Sequence, residues 1–139
     1  IIMTLHYDEL EIDQDLPELI LPPISRTTLA LFAGASGDHN PIHIDLDFAR
    51  AVGMSDVFAH GMLSMAYLGR LLTQWVAQPQ IKQFNVRFAD ITLLGDVPCC
   101  TGKIVEKQDI NGEKCIKVKI QVANQQGQVK IVGDALIAC

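Results

Sequence analysis

The chain has 139 residues and a formal charge of −5 at neutral pH; 49% of its residues are hydrophobic and 19% charged. That suits one folded domain with a sizeable apolar core and excludes a disordered chain. The acidic balance and the lack of any lysine-rich stretch argue against nucleic acid or an anionic membrane as partner.

Tyr, Phe and Trp are few, so Leu, Ile, Val and Ala should fill the core. No apolar run is long enough to span a bilayer. Ile1 to His6 shows no basic leader followed by an apolar region, so no signal peptide is expected. Cys99, Cys100, Cys115 and Cys139 include no Cys-x-x-Cys pair. Reduced thiols in a cytoplasmic protein are the simplest expectation.

In chain order, residues 1–23 should hold one short strand and otherwise loop, closed by Pro22-Pro23. Ser25 can cap a helix over Arg26–Ala35, with Leu29, Phe32 and Ala33 on one face and Gly34 and Gly37 ending it. Asp38 then falls on a loop just past a helix end. Pro41 pushes Asn40 out of the helical region. A short helix is expected over Leu46–Val52, with Asp45 near its start and Gly53 at its end. Residues 53–59 read as a loop. His60 to Val76 is a long helix, apolar on nearly every face in its first three turns, a pattern expected of burial on all sides. Ser64, Ala66 and Gly69 are small enough to let a sheet approach it.

From Ile81 the period changes to two. Phe84, Val86 and Phe88 alternate with Asn85, Arg87 and Ala89; Ile116, Val118 and Ile120 alternate with Lys117, Lys119 and Gln121. Strands are expected at about 81–90, 97–109, 114–124 and 128–138. Asn111-Gly112 is a strong hairpin signal and Gln126-Gly127 a weaker one. The picture is α+β: a curved antiparallel sheet wrapped around a long central helix.

The chemistry concentrates in Ser36-Gly37-Asp38-His39-Asn40-Pro41-Ile42-His43, which reads as an active-site turn. It sets a carboxylate and an imidazole five positions apart, the pair needed to move protons on and off one water. Taken singly, Asp38 could cap a turn and His43 could be a satisfied polar residue. Together with Gly37, Asn40, Pro41 and the His60-Gly61 helix start, they point to catalysis. Gly61 could be no more than a helix-start glycine, or it could offer an unobstructed backbone N–H to a developing oxyanion. His39 and His43 have the i, i+4 spacing of metal ligands, and Asp38, Asp45 and His60 could add to them. Pro41 deprives that spacing of its helical meaning, so no metal is expected. His39 should face solvent and His60 should brace the Gly61 loop. Asn40 reads as a brace of the loop. Met62 could line an apolar pocket or belong to the core. Arg87 could meet a phosphate or be a solvated strand residue. Ser64 lacks a Gly-x-Ser-x-Gly setting and reads as packing.

The segment from Phe32 through Gly37-Asp38-His39-Asn40-Pro41-Ile42-His43 to Asp45 and Ala49 resembles the signature of the MaoC-like hydratases and dehydratases. These hotdog-fold enzymes include the (R)-specific enoyl-CoA hydratases. His60-Gly61-Met62-Leu63 matches the start of that family's central helix, and Arg87-Phe88 and Gly95-Asp96 match more weakly. The matches span about residues 25–137, within one hotdog domain of residues 1–139. The resemblance implies reversible hydration of trans-2-enoyl thioesters to (R)-3-hydroxyacyl thioesters. It assigns Asp38, His43 and Gly61 to catalysis and Asn40, Met62 and Arg87 to the substrate, with no cofactor. Coenzyme A or acyl carrier protein would bear the acyl group, and the enzyme would be a homodimer joined through its sheets. Two departures bear on the acyl pocket: Asp90-Ile91 replace the family's usual Pro, and Gly69 stands where some hydratases carry a Ser. A hotdog thioesterase is the first rival, but it would carry a carboxylate on the central helix, and none lies between Gly61 and Val76. A non-catalytic acyl-binding subunit is the second, though such a chain would be expected to lose Asp38 or His43.

Overall fold

The computed structural model describes residues 2–139; Ile1 lies outside them. Its elements follow the expected order. Strand β1 is Leu19–Ile20, helix α1 Arg26–Ser36 and helix α2 Leu46–Ala51. Helix α3, Gly61–Trp75, precedes strands β2 (Ile81–Phe88), β3 (Cys99–Ile110), β4 (Glu113–Ala123) and β5 (Val129–Ala138).

Local chemistry explains the boundaries. The Ser25 side chain accepts from the Thr28 N–H at the start of α1, and Gly37, at φ 76°, ends it in the left-handed conformation that glycine adopts without cost. Gly34, expected to share in that ending, lies inside the helix instead. Asp45 caps α2 through the Phe48 N–H. At the β3–β4 turn both Asn111 and Gly112 have positive φ, the requirement of a tight two-residue hairpin.

The sheet is antiparallel, in the order β1-β3-β4-β5-β2. Register shifts between Ile104 and Glu106 and between Val122 and Ala123 introduce irregularities of the kind that bend a sheet. The inner faces of β3, β4 and β5 bury Ile104, Ile116, Val118, Ile120, Ile131 and Ile137 against Leu68, Leu71, Leu72 and Trp75 of α3. This is the hotdog arrangement, a sheet curled around one helix. Gly69 faces the Phe84 ring on β2: a Cβ there would touch it at 3.4 Å, so a methyl fits but a larger side chain would press on the ring. A smaller cluster of Ile24, Leu29, Ala49, Val57, Ala59 and Leu63 packs α1, α2 and the 53–60 segment under the first turn of α3.

Helix α3 is not buried on all sides. Leu63, Ser64, Leu68, Leu71, Leu72 and Trp75 face inward, while Met62, Ala66, Arg70 and Thr73 form an exposed stripe. One curved sheet covers only one side of a helix, so apolar composition alone overstated the burial. The four cysteines are free thiols, and burial pushes the Cys100 thiol up to about 12. No helix among the described residues is long and apolar enough to cross a membrane.

Candidate active site

Three alternate side chains wind the loop between α1 and α2. The Ser36 hydroxyl accepts from the Asp38 N–H (3.1 Å), Asp38 Oδ1 from the Asn40 N–H (3.2 Å) and Asn40 Oδ1 from the Ile42 N–H (3.1 Å). Short polar side chains that bond their own backbone two residues on make such turns. Pro41 then opens a single 3₁₀ turn, Pro41–His43. The loop leaves Asp38 exposed and turns His43 inward.

His43 Nδ1 lies 2.8 Å from the Phe58 carbonyl oxygen. A carbonyl only accepts, so Nδ1 carries the hydrogen, and in the neutral ring Nε2 is a bare acceptor. His60, the residue before α3, is 1% exposed and stacks on His43 with ring centroids 4.0 Å apart. By the same reasoning its Nε2 donates to the Asp38 main-chain carbonyl (3.2 Å). Burial holds the His60 imidazole below its ordinary range; the neighbouring His43 adds to that, and Asp38 opposes it.

Asp38, His43 and His60 thus each bring a donor atom within 4.8 Å of the others. A divalent cation could span that distance. One nitrogen of each imidazole donates to a carbonyl, which leaves His43 Nε2 and His60 Nδ1 as bare acceptors. Of the other ligands considered, His39 faces solvent and Asp45 is engaged in its helix cap.

Beside this cluster opens a cavity of about 410 Å³ lined by Gly61 and Ser64 of α3, Phe58, Phe88, Ile91, Thr92 and Ile131 among others. Gly61 is the first residue of α3, so the helix does not use its N–H. A Cβ on Gly61 would come 2.9 Å from the Phe88 ring, so its bareness admits Phe88 as well as any ligand. The Ser64 and Thr92 hydroxyls, 3.3 Å apart and buried, are polar points in a largely apolar wall.

The structure gathers Asp38, His43 and Gly61 at one end of α3, but not all the other candidates. Asn40 sits in the same loop with its side-chain oxygen engaged by the backbone. Met62 is 54% exposed and lies outside the cavity wall. Arg87 projects from β2 into an open groove on the far face of the sheet, with Asn85, Lys119 and Asp134.

Sequence reasoning missed Phe58, Thr92 and Lys130. Phe58 acts through its main chain, which no residue pattern reveals. The Ala59 N–H bonds the Thr92 carbonyl, tying the segment beneath His43 to the cavity's far wall. Lys130, 3% exposed, anchors that wall: its ammonium donates to the Ile91 carbonyl (2.8 Å) and lies 3.4 Å from Asp90 and 3.5 Å from Asp96. A lysine beside Ile131 in an alternating strand was the one available signal.

A hotdog sheet, a carboxylate and an imidazole gathered at the start of its central helix and an apolar cavity beside them define a hotdog-fold protein. The chain belongs to the MaoC-like domain family, whose model matches residues 11–126. It is 29% identical over 141 residues to the (R)-specific enoyl-CoA hydratase of Rhodospirillum rubrum, covering 97% of this chain and 92% of that one. It is similar to the structure of the unliganded R-hydratase PhaJ1 from Pseudomonas aeruginosa, with a TM-score of 0.81, 31% identity and coverage of 95% and 84%. It is also 27% identical over 132 residues to the fatty acid synthase subunit beta of Saccharomyces cerevisiae, of which it spans only 6%.

Proposed function

We propose that this protein reversibly hydrates trans-2-enoyl thioesters to (R)-3-hydroxyacyl thioesters, as a hydro-lyase of fatty acid metabolism. One observation carries the reading: an exposed carboxylate and a buried imidazole of fixed tautomer converge beside an apolar cavity at a free helix N-terminus. Asp38 and the bare Nε2 of His43 are both acceptors, so together they take the two O–H bonds of one water and aim its lone pair at C3 of the enoyl group. As the oxygen bonds to C3, one of the pair takes the water's proton and returns it to C2. The charge that grows on the thioester carbonyl meets the Gly61 N–H at the positive end of α3. Dehydration runs the same steps backwards. The (R) configuration rests on the similarity to (R)-specific hydratases.

We take residues 1–139 as one MaoC-like hotdog domain working as a homodimer in a reducing compartment such as the cytoplasm. The exposed stripe of α3 and the unpaired outer edge of β2 support a second copy; the four free thiols support the compartment. A molecular mass near 15.3 kDa by sedimentation equilibrium would refute the dimer.

The functional test follows enoyl absorbance with crotonyl-CoA and longer trans-2-enoyl-CoAs, with free thiol measured in parallel. Absorbance should fall without thiol release. Asp38→Asn and His43→Gln should each lower the rate on the order of 10²–10⁴-fold while staying folded. Near-full activity in either variant would remove that residue from the mechanism. Thiol release would mark a thioesterase instead.

A further inference from the structure

We propose that His60 is a positioning residue for the Asp38–His43 pair, holding the main chain of Asp38 and supplying a neutral ring against which His43 works. The inference rests on the catalytic reading of that pair.

Three contacts define its place. Its Nε2–H donates to the Asp38 carbonyl across 22 positions of chain. Its ring lies against His43 at 4.0 Å, and the edge of Phe32 from α1 closes the remaining side at 4.9 Å. Its Nδ1 is buried with no hydrogen-bond partner, among the described residues the one buried side-chain nitrogen or oxygen so left. A phenylalanine or leucine would fill this space without stranding a lone pair, so packing alone does not account for an imidazole here.

The bond to Asp38 does. Asp38 follows Gly37, whose positive φ ends α1, and its carboxylate is exposed at the mouth of the site. Ser36 already holds its N–H within the turn, and the His60 bond ties its carbonyl to the start of α3. The clamp is reciprocal: the segment 58–60 holds His43 through the Phe58 carbonyl and Asp38 through the His60 ring, so one rigid stretch entering α3 fixes both members. The stack adds an electrostatic condition. When His43 takes a proton, a second cation 4.0 Å away would oppose it; a His60 ring kept neutral by burial does not. His43 and Asp38 are the titratable groups beside His60 in this cluster, and the α1 neighbour is the uncharged Phe32. His60 thus does more than brace the start of α3.

The two parts of the role separate by substitution. His60→Phe keeps an aromatic ring and removes the donor; His60→Gln keeps an N–H donor and removes the ring. Both are compared with wild type and Asp38→Asn for kcat, KM with crotonyl-CoA, and melting temperature. In wild type, ¹⁵N-histidine NMR reads the tautomer without reference to activity, with signals assigned by substitution of the other three histidines. His60→Phe should lose kcat by about 10–100-fold, the scale expected when a reacting group is misplaced by about an ångström, with KM little changed. His60→Gln should recover part of that loss. NMR should show His60 protonated at Nε2 and bare at Nδ1 over the active pH range. Full kcat in folded His60→Phe, no recovery in His60→Gln, or a His60 protonated at Nδ1 would each overturn the proposal. Should Asp38→Asn also be fully active, the catalytic reading falls first and this one with it; a dead Asp38→Asn beside a fully active His60→Phe sinks this proposal alone.

Discussion

Replacing Lys130 by Met tests whether the buried ion cluster holds up the cavity wall. Met matches the aliphatic length of Lys and removes only the ammonium, so the cavity term is small. The Ile91 carbonyl loses a 2.8 Å donor, and Asp96, whose side chain is 10% exposed, loses its cation. Asp90, at 60% exposed, contributes little because water screens it. Breaking a buried pair costs about 3–5 kcal/mol; Asp96 keeps its bonds from the Leu93 N–H and Asn124 Nδ2, which places the cost near the lower bound, about 3 kcal/mol. With an unfolding entropy of about 2.1 cal/mol/K per residue, that loss lowers the melting temperature by about 10 °C. Urea unfolding followed by circular dichroism, at one fixed protein concentration, measures it. If the penalty is an unpaired buried charge, adding Asp96→Asn to Lys130→Met should return about 1 kcal/mol or more. A Lys130→Met loss under about 1 kcal/mol, or a double variant in which the two costs add, would refute the assignment.

Two further outcomes follow from the packing of α3 and the burial of His60. Gly69→Leu should cost about 1–3 kcal/mol by driving a side chain into Phe84, read as a lower melting temperature; an unchanged value would mean that β2 yields there. His60 has its folded pKa depressed, so the unfolded chain binds its proton more readily and stability is lost as pH falls below about 6.5, the ordinary histidine value. His60→Phe should therefore flatten the stability profile between pH 7 and 5, and an identical slope in the two proteins would refute a neutral buried His60.

The sequence made most of the fold readable because its signals are local. Ser25 and Asp45 cap helices by reaching three residues forward, Asn111-Gly112 specifies its turn from two dihedral pairs, and the alternation of β2 and β4 needs only a neighbouring face. The Asp38–His43 pair was legible for the same reason, since residues 36–42 wind themselves with their own side chains. The site's surroundings were not. Phe58 grips His43 with a backbone oxygen that every residue possesses, and Thr92 reaches Ser64 from a loop without pattern. Lys130 is buried only because Asp90, Asp96 and the Ile91 carbonyl meet it, a matter of three-dimensional neighbours. The exposed stripe of α3 was misjudged because hydropathy reports what a face prefers, not whether anything covers it.

The strand order has a consequence for how the chain folds. β3, β4 and β5 follow one another through short turns and form a meander from neighbours in sequence. β2, which precedes them, pairs only with β5, so that Phe88 meets Ile131 and Ile81 meets Ile137. Closing that long loop is a non-local step, as is the pairing of β1 with β3, and such steps are slow because chain entropy is lost before contacts repay it. Until β2 arrives, Phe84, Val86 and Phe88 are missing from the side of α3. A nascent molecule can therefore hold a nearly complete sheet while the wall beside Gly61 is still absent. The strand that finishes the cavity thus attaches through a non-local pairing, and its arrival marks the moment the chain becomes competent to hold an apolar ligand.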